Sequence, residues 1–208
     1  MPPSTPSLWL LTAPGRNRIL AATLRSLRQS DCPPPRIFTD PGDPGLPAVQ
    51  RILLAFHAML TTAVRESDAP WLLCMEDDIA VSRHLLHNLT AWPPLKHGRI
   101  RTFASLYNAT LPRAPHTRPA RTWFRADPRY YFSGQALLIA RPFALHALAQ
   151  WDTVTGMQCR RLAAIAARDF PDAPLYVHRP SLIQHTATTS GWNAPLHTAP
   201  DFDPDWRA

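Results

Sequence analysis

An α/β fold, with a mostly parallel sheet flanked by helices in one domain, is the class this sequence predicts, and three features predict it. Short apolar runs cut off by Pro, Gly or Asp alternate with longer stretches whose apolar residues recur every three or four positions. The first three of these come in the order strand, helix, strand, which is how parallel sheets begin. The 208 residues suffice for one buried core but not comfortably for two, and a 45% hydrophobic composition is globular rather than disordered.

The elements follow in order. Leu8 to Thr12 reads as a buried strand that stops at Ala13-Pro14-Gly15. Ile19, Leu20, Thr23, Leu24 and Leu27 then fall at helical spacing, and "RIFTD" gives a second strand ending at Asp40, cut off by Pro41. From Pro47 to about Asp68, the residues Val49, Ile52, Leu53, Phe56, Leu60 and Val64 form an amphipathic pattern, with Pro47 near its start, where proline is tolerated. The strand "PWLLCM" follows, then "RTFASLYNA" as another. Residues 109 to 129, rich in Pro and Arg with no clear period, read as a long loop. "YYFSGQALLIA" reads as a strand kinked at Gly134; Phe143 to Trp151 and Cys159 to Arg168 read as helices. "PLYVHRPSLIQHTATTSGWN" gives a short strand, a turn and a histidine-bearing segment, and residues 196–208 read as a loose tail.

Twenty-four prolines cluster between these segments and so mark stiff connections rather than element interiors. The net charge of +7 is almost wholly arginine, since Lys96 is the sole lysine; nucleic acid, an anionic membrane surface or a phosphate-bearing substrate would each suit it. Cys32, Cys74 and Cys159 are far apart and form no CxxC pair, so neither a disulfide framework nor a zinc site of the usual spacing is expected. "SLWLLTAP" lacks the flanks of a signal peptide, and no run approaches the ~20 apolar residues of a membrane helix. The expectation is a cytoplasmic protein, with peripheral membrane contact compatible.

The stretch "WLLCMEDDI" carries the chemistry. Glu76, Asp77 and Asp78 end a predicted strand, where ligands bind in open parallel sheets. A solvated turn or a helix N-terminus would also accept acids. Yet the chain has only two glutamates, Glu66 and Glu76, so the run is not background composition. Three adjacent carboxylates repel one another, and a divalent cation with oxygen preference relieves that repulsion.

These residues resemble the acidic DxD-type motif of GT-A fold glycosyltransferases, a Rossmann-like α/β fold. "LWLLTAPGR" resembles the family's first strand and nucleotide-binding loop, "YYFSGQALLIARP" the segment behind the sugar-donor pocket, and "RPSLIQHTATTSGWN" the late segment whose histidine binds metal. The Glu-Asp-Asp triplet and the Pro-Ser-Leu-x-Gln-His run are similar to those of metal-dependent N-acetylglucosaminyltransferases and related bacterial enzymes.

The resemblance implies a donor-binding half over about 7–110, an acceptor and catalytic half over about 111–195 and a tail at 196–208; in length the chain departs from the better-known members, and at 208 residues no extra C-terminal or membrane-anchoring domain is expected. It implies transfer of a sugar from a nucleotide-sugar donor, UDP-linked by preference, to a hydroxyl of a carbohydrate, lipid-linked or protein acceptor, with inversion and with Mn2+ or Mg2+. Asp78 and His185 would hold the metal, Glu76 would face the ribose and Asp77 would support the site. Thr12, Ala13 and Pro14 would shape the base site, Arg16 or Arg18 would meet a phosphate, and Asp40 would bond base or ribose. Ser133, Gly134 and Gln135 would line the donor pocket. The general base would be Asp152, with the alternative that Asp152 or Thr153 caps the helix starting near Gly156; Asp127 and Asp169 are the other candidates.

Two other classes compete. A metal-dependent phosphoryl hydrolase would need further carboxylates converging on the triplet, and the remaining acids lie mostly in turns or the tail. A nucleic-acid-binding module would use Arg99, Arg101, Arg113, Arg118, Arg121, Arg125 and Arg129 with Tyr107, Trp123 and Phe124, but no familiar binding motif accompanies them.

Overall fold

The computed structural model describes residues 5–108, 121–187 and 197–208. Ser7–Thr12 forms β1, Asn17–Arg28 α1, Arg36–Thr39 β2, Ala48–Glu66 α2 and Trp71–Glu76 β3. The predicted opening order of strand, helix and strand holds, and Pro47 stands at the N-cap of α2. Then come β4 (Ile79–Val81), α3 (Leu85–Ala91), α4 (Pro93–Lys96), β5 (Phe103–Ser105), β6 (Trp123–Ala126) and β7 (Ala136–Ala140). The chain continues through α5 (Arg141–Ala149), α6 (Gln158–Asp169), β8 (Leu175–His178) and β9 (Ile183–His185).

Seven strands form one sheet in the order β2-β1-β3-β7-β5-β8-β6, and β4 pairs with β9 in a separate ribbon. β1 is parallel to β2 and β3, and β5 to β8; β7 runs against both β3 and β5, and β6 against β8. All strands of the sheet but β7 and β6 therefore point the same way, and this is the mixed, mostly parallel α/β class expected. Side chains alternate between the faces of β3. Leu72 and Cys74 join one core with Phe56 and Leu60 of α2, Phe143 of α5 and Leu162 of α6. Leu73 and Met75 join the other, with Leu27 of α1 and Leu85 and Leu89 of α3. A strand buried on both faces must be apolar throughout, which is why "WLLCM" shows no alternation.

Five segments differ from the sequence reading. The long loop placed at 109–129 contains β6; its alternating Arg125 disguised it, because an edge strand needs apolar residues only where it packs. "RTFASLYNA" and "YYFSGQALLIA" contract to β5 and β7, since residues 131–135 cross the rim of the sheet instead of pairing within it. The stretch 79–96 holds β4, α3 and α4, which the sequence reading did not assign. The tail is not loose over its described part: Phe202 and Trp206 pack on the second core, and the Asn88 side chain bonds both Trp206 O and the Ala208 N–H. Apolar anchors spaced by Asp and Pro read as loop when periodicity is the test. Arg113, Arg118, the "TSGW" part of the histidine segment and both predicted boundaries near 110 and 195 lie outside the described residues.

Candidate functional site

The parallel strands β1, β3, β5 and β8 end on one rim, which gathers Thr12, Glu76 and the residues just past Ser105 and His178. Asp77 and Asp78 turn off β3 into β4. Thr23 of α1 fixes that turn: its Oγ1 lies 2.6 Å from Asp77 O and 2.8 Å from Ile79 O, with its one proton shared between them, and accepts from the Ile79 N–H (3.1 Å). In the β4–β9 ribbon His185 lies opposite Ile79, and the Thr186 N–H donates to Asp78 O at 2.8 Å. The ribbon thus carries the histidine to the acid.

Asp77 and Asp78 are buried and share one cation. Arg16, in the turn after β1, donates from Nε to both Asp77 carboxylate oxygens at 2.9 Å, and its NH2 lies 2.7 Å from Asp77 Oδ1 and 2.8 Å from Asp78 Oδ2. Thr12 Oγ1 also donates to Asp77 Oδ2. His185 Nε2 stands 3.6 Å from Asp78 Oδ2. Burial pushes the Asp78 carboxyl up, but His185 and Arg16 outweigh it and hold it below the ordinary range. The same carboxylate raises His185 against the opposing effect of burial. Asp78 Oδ1 is buried and has no hydrogen-bond partner among the described residues.

Glu76 is different. Burial, then the Asp78 charge, push its carboxyl up to about 8. Gln158 Nε2, at the start of α6, donates to Glu76 Oε1 at 3.1 Å. The loop 131–135 covers it: Glu76 N–H donates to Gln135 O (3.0 Å), Ser133 Oγ to Gln135 Oε1 (2.7 Å), and Tyr131 OH to Ser133 O (3.0 Å). A Cβ on Gly134 would stand 2.8 Å from both Glu76 Oε1 and Gln158 Nε2, so glycine lets the loop approach.

Most residues singled out in the sequence therefore converge. Thr12, Arg16, Glu76, Asp77, Asp78, Ser133, Gly134, Gln135 and His185 form one connected site. Asp40 adjoins it, its N–H bonded to Thr12 O and its buried carboxylate held by Arg51 NH2 at 2.9 Å and the Gly42 N–H at 2.7 Å. Ala13 is half-buried and Pro14 exposed at the rim; Arg18 is exposed. Asp152 is not brought in. It lies in the short 3-10 turn Trp151–Thr153 with its side chain 99% exposed, 3.7 Å from Arg161, and makes no contact with the triplet among the described residues. Nor does it cap a helix, because α6 begins at Gln158 with no side-chain cap.

Sequence reasoning did not place Thr23, Gln158 or the pair Tyr107–His197 at this site, having named Tyr107 only for a nucleic-acid surface. Tyr107 OH donates to His197 O (2.6 Å) and lies 2.9 Å from His197 Nδ1, and the His197 ring centre is 5.7 Å from that of His185. Burial and then the charges of Asp78 and Glu76 raise the Tyr107 hydroxyl. Its place just past β5 was the available signal, since the same rim position had marked Asp40 and Glu76.

No family model matches the chain, and no curated protein matches it. Solved structures do align. A glycosyltransferase involved in glycosylation of the major capsid of PBCV-1 matches at TM-score 0.47 and 9% identity, over 90% of this chain and 96% of that one. The apo-form glycosyltransferase GlyE of Streptococcus pneumoniae matches at 0.47 and 11%, over 93% of this chain and 58% of that one. Mannose-1-phosphate geranyltransferase from Thermus thermophilus matches at 0.43 and 14%, over 82% and 73%. The fold assignment rests on the strand order and registers above rather than on these likenesses. Among the described residues, no helix is long and apolar enough to cross a membrane.

Proposed function

We propose that this chain is a glycosyltransferase that moves a sugar from a nucleotide-sugar donor, UDP-linked by preference, to an acceptor hydroxyl with the help of Mn2+ or Mg2+. The observation that carries this reading is Asp78 Oδ1: a buried carboxylate oxygen without a hydrogen-bond partner among the described residues, beside His185, at the end of a central strand. A buried carboxylate oxygen left without a hydrogen bond is costly unless a ligand completes it.

A divalent cation fits there. Among the described residues no group of three or more His, Cys, Asp or Glu is arranged to hold one unaided. Asp78 and His185 would supply two ligands and leave the remaining positions to water and diphosphate oxygens, as such ions prefer. When bound, the ion would supply Lewis-acid stabilisation of the departing diphosphate. Arg16 stands in for part of that charge, and its side chain is 35% exposed, so it can also meet a phosphate. Thr12, Ala13 and Pro14 border the base, the fixed carboxylate of Asp40 bonds base or ribose, and Glu76 under the Gly134 loop faces the ribose.

For an inverting transfer the base role passes from Asp152 to Asp127. Asp127 lines a small cleft with Tyr107, Tyr130, Tyr131, Phe132 and Ser133, which opens beside the donor loop. Arg129 Nε and NH2 hold both of its oxygens and keep the carboxyl below the ordinary range, so acting as base requires that pair to open.

The test is calorimetric titration of UDP into the chain with Mn2+ and with EDTA, for the native protein and Asp78→Ala. Metal-dependent binding that is lost in the variant supports the reading. No binding of UDP, GDP or CMP under either condition overturns it.

A further inference from the structure

A second site lies on the same rim, at its far edge. Arg121, Trp123, Phe124, Arg125 and Arg179 line an open cavity of about 610 Å3. The guanidiniums of Arg121 and Arg125 each lie 5.9 Å from the Trp123 ring centre, and that of Arg125 also lies 5.9 Å from Tyr176. Aromatic faces therefore hold two of the cations in place. No carboxylate pairs with Arg121, Arg125 or Arg179 among the described residues, whereas Arg16, Arg36, Arg51, Arg83, Arg129 and Arg168 each have one. Three uncompensated guanidiniums around one cavity repel one another unless an anion joins them.

The register fixes where this cavity stands relative to the acid site. Met75 pairs with Ala136, the Leu106 N–H bonds Ala136 O, the Leu182 N–H bonds Leu106 O, and His178 pairs with Trp123. Trp123 is thus near the level of Glu76 along the strands and four strand spacings across, roughly 19 Å at ~4.8 Å each. The cleft of Tyr107, Ser133 and Asp127 lies between, and Phe124 lines both it and the arginine cavity.

We propose that the arginine cavity binds a phosphate-bearing part of a soluble saccharide acceptor, anchoring it while a distant hydroxyl reaches the donor. This rests on the glycosyl-transfer reading. Planar guanidinium forks suit a phosphate, and the Trp123 ring offers a flat apolar face to the sugar that carries it. Its distance from the triplet separates this site from the one assigned to the donor diphosphate.

Binding of glucose 6-phosphate and of glucose to the full chain is to be measured by ligand-observed NMR, beside UDP titration with Mn2+. The sugar phosphate is expected to bind at least ten-fold more tightly than glucose. Arg121→Gln and Arg125→Gln, at exposed positions, are each expected to weaken it five-fold or more, with the melting temperature and the UDP affinity unchanged. Equal binding of the two sugars, or no effect of either variant, overturns the proposal. So does arginine-dependent capture by phosphatidylglycerol vesicles in place of the sugar phosphate, which would make the cavity a headgroup site. Sugar-phosphate binding without any nucleotide binding would leave this site standing and overturn the donor reading alone.

Discussion

Replacing Arg16 by Gln tests the electrostatic design of the acid site. One guanidinium serves two carboxylates whose side chains are 5% and 12% exposed, and Gln cannot replace its charge. An exposed ion pair contributes ~0.2–1 kcal/mol, while breaking a fully buried one costs ~3–5 kcal/mol. Arg16 is 35% exposed, so solvent screens the pair and the expected loss lies between these, at about 2 kcal/mol. For a chain of this size that lowers the melting temperature by about 4–8 °C.

The assay is thermal unfolding in EDTA and then in Mn2+. Without Arg16 the triplet holds more uncompensated negative charge, so Mn2+ is expected to raise the melting temperature of the variant more than that of the native chain. A double-mutant cycle with Asp77→Asn, which keeps an acceptor for Thr12 Oγ1, should give a coupling of about 1–2 kcal/mol. A variant melting within about 1 °C of the native chain in EDTA, with no coupling to Asp77, would refute the idea that Arg16 is the resident counter-cation.

Two further predictions concern other groups. His178 is fully buried between the Trp92 and Trp206 rings and donates from Nδ1 to Pro180 O at 2.7 Å; burial pushes its imidazole down to about 4 from an ordinary 6.5. The unfolded chain therefore takes up a proton that the folded one refuses, so stability falls as pH drops through the window from about 6.5 to about 4; urea denaturation should show about 1.5 kcal/mol lost between pH 6.5 and 5, and less in His178→Gln. With a donor and acceptor in hand, Asp127→Asn should lower kcat by ~10²-fold or more with UDP affinity unchanged, and Asp152→Asn should leave kcat within about two-fold; the reverse ranking would return the base to Asp152.

The fold was legible where one rule dominates. β3 and α2 are read from apolar runs and helical periodicity, because burial on both faces or on one stripe leaves a direct trace in residue order. β4, β6 and the packed tail left no such trace. Each is short and partnered by residues far along the chain, so its identity lies in Ile79 facing His185, or Trp123 facing His178, and not in its own pattern. The site divides the same way. Rim position selected Thr12, Asp40 and the triplet, whereas Gln158 gains its role only because α6 starts beside Glu76.

Arg16 shows how far local reading goes. Its place after β1 marked it as a phosphate ligand, and the fold turned it onto Asp77 and Asp78, 61 and 62 residues away. The two roles are compatible because both need a cation at the end of β1 and β3, where carboxylates and diphosphate would otherwise meet only each other. The same rule separates the two ends of the rim: at β3 Asp77 and Asp78 share Arg16 and, on the proposed reading, a metal would complete Asp78, while at β6 the cations stand without acids among the described residues and, on the proposed reading, would take an anion. Exchanging charge at one end should therefore leave binding at the other unchanged, since ~19 Å exceeds the ~8 Å screening length at physiological salt.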